Sequence, residues 1–251
     1  SSSKAAPTQN SESSLGKANE NSEKQSGNSS SSNGGTSVAA SVAVNFLDAD
    51  NTATIASDVI INATGDLAVV ATAEVDARAQ GLSTATNTES DNGVAAAVGL
   101  NIVLASNKAE VGAFADLTAD SLAVKAVMPQ DATNTFQSRA LAGAISKGNG
   151  IGASISVNYL DLDSNGTVGN NAKLNATAGG IDVAAESHNE IQNIAGGAGL
   201  STGSDTGVGV AIAVNIVNGL DTNASIGHDA KVDATGSINV TADASLLPKT
   251  E

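Results

Sequence analysis

The feature that most constrains the fold of this chain is a nine-residue pattern that occurs four times. The copies read SVAASVAVN, GVAAAVGLN, GIGASISVN and GVGVAIAVN, and each one ends on an asparagine. A long, regular period indicates a repeat architecture, in which each unit buries its apolar residues by stacking on the next. The four anchor asparagines, spaced 56, 57 and 57 residues apart, are Asn45, Asn101, Asn158 and Asn215.

Large and small residues alternate strictly within each copy. In the fourth copy, Val208, Val210 and Ile212 alternate with glycine and alanine. Alternation with period two predicts a β-strand. We expect the large β-branched face to fill the interior of the protein. The small face has two interpretations: it packs tightly against another sheet, because small residues let backbones approach closely, or it forms a flat exposed surface.

The remainder of each unit predicts further short strands. A polar turn follows the anchor asparagine, and then come a short segment (ATIA, AEVG or ASIG), two alternating segments and an Ala/Gly-rich segment such as ARAQGLS. Gly65 and Gly236 lie in the turn between the alternating segments, where we expect positive φ. About five strands per unit favour two coils of about 28 residues over three of about 19. Seven or eight such coils would form a rod roughly 35 Å long.

The repeats also set the domain boundaries. We predict an all-β solenoid of about four 57-residue repeats over residues 36–242, divided as 36–91, 92–149, 150–206 and 207–242. Residues 1–35 are rich in Ser, Asn and Gly, which predicts a flexible loop or the remainder of a truncated preceding repeat. Residues 243–251 are expected to form a C-terminal tail. The anchor asparagines are expected to stack as an amide ladder along the axis, with ligand binding as the alternative.

Composition excludes several classes of function. The chain has 26 acidic and 11 basic residues, a net charge of −15, which argues against nucleic-acid binding and against a basic helix on a membrane surface. It has no cysteine, so disulfides and thiolate metal sites are excluded. No apolar run is long enough for a membrane helix. The first residues, SSSKAAPTQN, contain no signal-peptide pattern, and we expect a fragment of a longer protein.

One segment has the residue types of a calcium loop. In LDLDSNG, at residues 160–166, Asp161, Asp163 and Asn165 precede a glycine, as in the first half of such a loop. The twelfth position, where a glutamate is expected, is Ala172. The alternative is an ordinary turn rich in Asp and Asn. The only cofactor suggested by the sequence is therefore calcium, and no nucleophile or phosphate-binding motif is present.

The repeat unit resembles a known class of sequence. Its pattern is VAVN-x(7 or 8)-A-x-I-G-x(2)-A-x-V-x-A-T-G-x-I-x-V-x-A, and it is similar to the repeat regions of large bacterial surface or secreted proteins. Filamentous-haemagglutinin-like adhesins and leukotoxin-like proteins contain such regions. The resemblance implies a right-handed parallel β-helix, an extracellular or cell-surface location, and a role as a stalk or adhesive shaft.

These observations lead to two expected functions. The first is a non-catalytic structural and adhesive segment of a long surface or secreted fibre protein, which contacts adjacent repeats of its own chain and molecules on host or neighbouring cells. The alternative is a polysaccharide-binding or polysaccharide-cleaving β-helix protein. That alternative requires acidic or aromatic side chains projecting from the same face of neighbouring coils, and aromatic residues make up only 2% of the chain.

Overall fold

The structure is a computed structural model, which describes residues 25–30, 36–87 and 92–248. Within these ranges the chain forms fifteen β-strands and no helix. The strands form three sheets, and every recorded strand pair is parallel. The prediction of an all-β chain is therefore confirmed, as is the parallel arrangement that the resemblance implied.

Two of the sheets contain four strands each. The front sheet has strands of 20 residues, and its order is β13 (Gly207–Ile226), β10 (Asn149–Val168), β6 (Asn92–Val111) and β2 (Thr36–Ile55). The end sheet is much narrower, and its order is β14 (Lys231–Ala234), β11 (Lys173–Ala176), β7 (Asp116–Ala119) and β3 (Ile60–Asn62).

The back sheet contains the remaining seven strands. Its longest strand, β12, pairs through its first half with β8 and β15 and through its second half with β9. Beyond β8 lies β4, and beyond β9 lie β5 and β1. The strands are β1 (Gln25–Ser30), β4 (Leu67–Thr72), β5 (Ala77–Asn87), β8 (Leu122–Val127), β9 (Asn134–Ser146), β12 (Ile181–Ser201) and β15 (Ile238–Pro248).

Each unit passes through the three sheets once and forms a single layer. Asn101 lies between Asn45 and Asn158 in the front sheet, so neighbouring strands are one full period apart. The prediction of two coils per unit is wrong. The polar segment after the anchor asparagine is not a turn, because each front strand continues through it, as β2 does to Ile55, with one register shift at Asn218 in β13. Four strands about 4.8 Å apart span roughly 15 to 20 Å, about half of the expected rod length.

The orientation of the front strands is the reverse of the expected one. In β2, the small residues Ser37 and Ala39 are buried, whereas Val42 and Phe46 are 57% and 62% exposed. The large face therefore points outward, and the small face packs against the second halves of the back strands. Those strands also present small residues, so the interface is made of Ala39, Ala85, Ala95, Ala97, Ala140, Ala142 and Ala144, with glycine and serine between them.

Contact between two small faces brings the two backbones unusually close. Cα atoms of β10 and β12 approach within 8 Å, whereas stacked sheets are ordinarily about 10 Å apart. A Cβ atom added to Gly99 would lie 2.5 Å from the carbonyl oxygen of Arg139. A Cβ on Gly152 would collide with the backbone of Ala198. Glycine is therefore required at these two positions because the facing backbone occupies the space.

Larger side chains fill the opposite end of each layer, where the end sheet joins the front and back sheets. The buried cluster there includes Leu117, Leu174 and Ile181, all at most 1% exposed. A second cluster around Phe136 and Leu160 lies at the junction with the thin region. Each layer thus combines a conventional apolar core with a thin extension of two closely packed sheets.

Two buried serines on β10 predict opposite effects of the same substitution. The Ser154 hydroxyl has no hydrogen-bond partner, whereas the Ser156 hydroxyl lies 2.9 Å from that of Ser138. An unpaired buried hydroxyl is destabilising, and a paired one is stabilising. We expect Ser154→Ala to raise the free energy of unfolding by about 1 kcal/mol and Ser156→Ala to lower it by about 1 kcal/mol. Urea denaturation of both variants tests this, and a change of equal sign would contradict it.

The two ends of the chain depart in part from the expected boundaries. Residues 25–30 form β1, which pairs with β5 at an offset of 56 residues (Gln25 with Gly81). The other positions of the predicted segment 1–35 lie outside the described residues. Residues 243–248 continue strand β15 alongside β12, so the prediction of a tail is wrong there, and 249–251 lie outside the described residues.

Positive φ occurs at a different turn from the expected one. Gly65 and Gly236 have no positive φ, whereas four residues between the front and end sheets have φ of 57° to 60°. These four occupy equivalent positions in successive layers, and Asn and Asp tolerate this conformation better than other non-glycine residues. They are Asp58, Phe114, Asn171 and Asp229.

Phe114 is the residue least suited to this conformation. Its side chain is 58% exposed, so little buried area compensates for the backbone strain. We expect Phe114→Asn to raise the free energy of unfolding by about 1 kcal/mol, measured as the urea midpoint. The reverse exchange in the next layer, Asn171→Phe, should lower it by a similar amount. A lower midpoint for Phe114→Asn would contradict the assignment.

Candidate functional site

The structure brings the four anchor asparagines together in one continuous chain of hydrogen bonds. The Nδ2 of Asn45 donates to the Oδ1 of Asn101 (2.8 Å), and Asn101 donates in the same way to Asn158 (3.2 Å). Asn158 then donates to Asn215 (3.0 Å). The first three side chains are buried, so this ladder runs through the interior and across all four front strands.

The same amides also join the front sheet to the back sheet. Nδ2 of Asn101 donates to the carbonyl oxygen of Ala77 at 3.2 Å, and Nδ2 of Asn158 donates to that of Gln192 at 3.0 Å. Each of these two amides thus uses both of its N–H groups within the protein. A ligand would have to break the ladder to gain a donor, so the geometry favours a structural role for these residues.

Two further pairs of hydrogen-bonded asparagines were not predicted from the sequence. Asn51 donates to Asn107 at 2.9 Å, and Asn134 donates to Asn189 at 2.9 Å. Both pairs are buried and lie 56 and 55 residues apart. The spacing of one period was visible in the sequence, but asparagines in polar segments were attributed to turns.

Three of these asparagines border a small cavity beside the cluster around Phe136 and Leu160. Its volume is about 30 Å³, and Asn51, Asn107 and Asn134 line it together with Met128 and Ser164. That volume is enough for about one water molecule and is far below that of a typical substrate pocket. The cavity therefore belongs to the packing of the layer.

The predicted calcium residues lie on a strand and not in a loop. Asp161, Asp163 and Asn165 belong to β10 and point outward from the front sheet. Alternate residues of a strand are about 6.6 Å apart, so these three cannot surround one ion as the ligands of a loop do. Among the described residues, no group of three or more His, Cys, Asp or Glu side chains is placed to hold a metal ion. The interpretation as a turn is wrong for this segment.

The acidic side chains nevertheless influence one another. Asp163 lies beside Asp221 on the neighbouring strand and close to Asp161 on its own. Burial raises the pKa of Asp163, and the carboxylates of Asp221 and Asp161 raise it further, whereas the Lys108 ammonium lowers it. Asp161 also accepts a hydrogen bond from Nδ2 of Asn218 at 2.9 Å. We call these three aspartates the acidic stripe.

The raised pKa of Asp163 predicts a stability that depends on pH. The native state binds this proton more tightly, so the contribution of the carboxyl is fully present below its unfolded pKa of about 3.9 and is lost as pH rises through the folded value. Asp163→Asn should therefore raise Tm at pH 7 by about 1 to 2 °C, with no gain near pH 3. Asp233→Asn, on the exposed side of β14, is the control and should not show this pattern.

The two histidines lie on other segments than the acidic stripe, His188 on β12 and His228 between β13 and β14. The ring Nδ1 of His188 is 3.1 Å from the Ser245 hydroxyl, and the ring of His228 is exposed beside the Asp229 carboxylate at 2.9 Å. These contacts pair His188 with a serine and His228 with an acid. Activation of a nucleophile by a general base requires the serine, the histidine and an orienting acid together. These residues therefore have no assigned chemistry.

The outer side of the front sheet is the most unusual surface of the described structure. Before the acidic stripe, five successive outward positions on each of the four strands are apolar, and sequence reasoning had placed them inside. We call this surface the apolar front face. Its residues are Val38, Ala40, Val42, Val44, Phe46, Val94, Ala96, Val98, Leu100, Ile102, Ile151, Ala153, Ile155, Val157, Tyr159, Val208, Val210, Ile212, Val214 and Ile216.

The outer side of the back sheet is different in character. Arg78, Gln80 and Arg139 lie there together with leucine and threonine side chains. A depression of about 460 Å³ is lined by Leu141 and Gly143, among others. This side therefore mixes charged, polar and apolar groups, whereas the apolar front face has no charged residue.

Within the described ranges, no helix has the length and apolar character that a membrane span requires. Comparisons of the chain with protein-family models, with curated proteins and with solved structures give no match. Function is therefore argued from the residues and geometry of this chain.

Proposed function

We propose that this chain is a non-catalytic structural and adhesive segment of a bacterial cell-surface or secreted fibre protein. The observation that supports it best is the stacking of equivalent residues of successive units in register in all three sheets, with buried amides bonded from layer to layer. Such layers need only their neighbours for stability, so the same stack accommodates further repeats. The proposed fold is a right-handed parallel β-helix of about four 57-residue repeats, since crossovers between parallel strands are nearly always right-handed.

The proposed location and partners follow from the resemblance to repeats of surface proteins. The location is extracellular or on the bacterial cell surface. The partners are adjacent repeats of the same chain and molecules on host or neighbouring cells. The absence of cysteine is compatible with export, because stability comes from the stacked strands and requires no disulfide.

Duplication of one layer tests the structural part of the proposal. A second copy of residues 92–148, inserted after residue 148, should stack as a fifth layer and raise the urea midpoint, because each added layer contributes a further interface. An insertion of the same composition with a scrambled order is the control and should not raise it. A duplicated layer that leaves the midpoint unchanged, or lowers it, would contradict the stacked repeat.

The adhesive part needs a separate measurement. The folded chain should bind immobilised extracellular-matrix proteins or host-cell surfaces more strongly than the same chain unfolded by heat. Equal binding by both forms would remove adhesion from the proposal and leave the structural role intact.

The polysaccharide alternative is favoured by one observation, the acidic stripe on neighbouring strands with its raised pKa at Asp163. A cleaving enzyme would use an acid whose pKa lies near the working pH. Incubation with acidic and neutral polysaccharides, with measurement of new reducing ends, tests this function. Activity that Asp163→Asn abolishes would replace the structural proposal.

A further inference from the structure

We propose that the apolar front face binds the same face of a second copy of this chain, forming a face-to-face dimer. This dimer rests on the proposed function, because it takes the stacked layers as the native state. It adds a partner that the proposed function does not name. It starts from exposure: Val42, Ile155 and Ile212, which lie in one column across three strands, are 57%, 43% and 47% exposed.

The chemistry of the face restricts its partner. Its twenty positions contain no charge, and the hydroxyl of Tyr159 is their only polar side-chain group. The two central strands, β6 and β10, are each paired with a strand on both sides. The face therefore offers almost no side-chain hydrogen bonds, so its partner must be both flat and apolar. A second copy of the same face satisfies both conditions.

The area of the face is sufficient for a stable interface. Five outward columns about 6.6 Å apart and four strands about 4.8 Å apart give a footprint of roughly 600 Å². This is at the upper limit of apolar patches on monomeric proteins. Two copies in contact would remove about 1,200 Å² from water, which reaches the range of specific protein interfaces.

The shape of the face is complementary to the same face of a second copy. Ala40, Ala96 and Ala153 form a column of small residues across three strands. Columns of larger residues flank it, including Val38 on one side and Val42 on the other. A shallow groove therefore runs beside a ridge along the stack. A two-fold axis that lies between the two faces and runs along the stack brings the ridge of one copy over the groove of the other, as an isologous interface requires.

Charge favours this two-fold arrangement over the alternatives. The acidic stripe lies beyond the Phe46 column at one side of the face, and the two-fold axis places the stripes of the two copies at opposite ends. The net charge of −15 repels an anionic membrane and a second copy alike, so the dimer is expected to depend on salt concentration. Residues 1–24 are unsuited to covering the face, since Leu15 is their only large aliphatic residue.

Sedimentation velocity of the whole chain tests the proposal. Between about 1 and 100 µM we expect a monomer–dimer equilibrium. The dimer should be tighter at about 0.5 M than at about 0.05 M NaCl, because salt screens the repulsion between two acidic copies. Ile155→Lys, at the centre of the face, should weaken dimerisation at least about tenfold. Leu141→Lys, on the outer side of the back sheet, is the matched control and should leave it unchanged.

Each outcome decides the proposal. A wild-type chain that stays monomeric at the highest concentration overturns it, as does equal weakening by Leu141→Lys. Open-ended oligomers that Ile155→Lys does not affect would indicate pairing of the sheet edges instead. A monomeric chain that sediments with phosphatidylcholine vesicles would make lipid the partner.

A further variant and a spectrum separate folding from dimerisation. Ile155→Thr keeps the β-branched shape and lowers only the apolar character, so it should weaken the dimer without altering the circular dichroism spectrum. If the wild-type chain lacks a β-type spectrum, the proposed function fails. If the chain is folded and monomeric, only the dimer fails.

Discussion

Replacement of Gly152 by valine should cost the protein about 3 kcal/mol of stability or more, measured by urea denaturation. A Cβ at this position would lie 2.8 Å from the backbone nitrogen of Ala198 and would collide with its carbonyl oxygen. The backbones resist separation because β10 is hydrogen-bonded to strands on both sides and this half of β12 is paired with β9. The two sheets would have to separate along several residues.

The control for this prediction is Gly143→Val. A Cβ on Gly143 would have no atom within 4 Å, and the residue faces outward on β9. The same exchange there should change stability by no more than about 0.5 kcal/mol. Ala39 and Ala95 occupy the position of Gly152 in the first two layers, so a Cβ is accommodated there. The loss of stability is therefore specific to the layer of β10, where Gly197 and Gly199 lie opposite. Equal midpoints for Gly152→Val and Gly143→Val would show that the sheets are not in backbone contact.

The second large effect is expected at the centre of the amide ladder. Asn158→Asp keeps the size of the side chain but removes the N–H groups that reach Gln192 and Asn215. A buried carboxylate would then face two oxygen atoms, with a cost of about 3 kcal/mol at pH 7. These surroundings raise the pKa of the introduced carboxyl above its unfolded value of about 3.9.

This prediction has a characteristic dependence on pH. Because the native state of the variant binds the proton more tightly, its loss of stability should shrink below about pH 4 and grow as pH rises through the folded pKa. Asn165→Asp, on the same strand but facing outward beside Lys108, is the control and should change stability by about 0.5 kcal/mol or less. A deficit of Asn158→Asp that is equal at pH 4 and pH 7 would contradict a buried carboxylate.

The period and the strands could be predicted from the sequence, but the buried face could not be predicted from hydrophobicity alone. Large β-branched residues were assigned to the interior because burial of apolar area ordinarily determines which face of a strand packs inward. The position of the anchor asparagine contained the missing information. Asn45 lies on the same face as Ala43, so an interior ladder requires the small face inside. A ladder in the interior and a large face in the interior exclude each other.

The prediction of two coils per repeat unit was wrong for a related reason. Aspartates and asparagines after the anchor residue suggested a turn, since these residue types are common in turns. In LDLDSN, however, Leu160, Leu162 and Ser164 are buried and the acids between them point outward. The alternation of period two thus continued through the polar segment. The expectation of a calcium loop arose for the same reason, whereas side chains spaced along a strand do not converge as the ligands of a loop do.

The passage of one unit through the sheets only once determines how such a molecule grows. Fifty-seven residues advance the stack by a single strand spacing of about 4.8 Å, so a thousand residues would lengthen it by only about 80 Å. Each added unit also adds to the front sheet one row of five apolar side chains, roughly 150 Å² of footprint. Variation in repeat number would therefore change the distance that the protein spans and the area of its apolar front face in the same proportion.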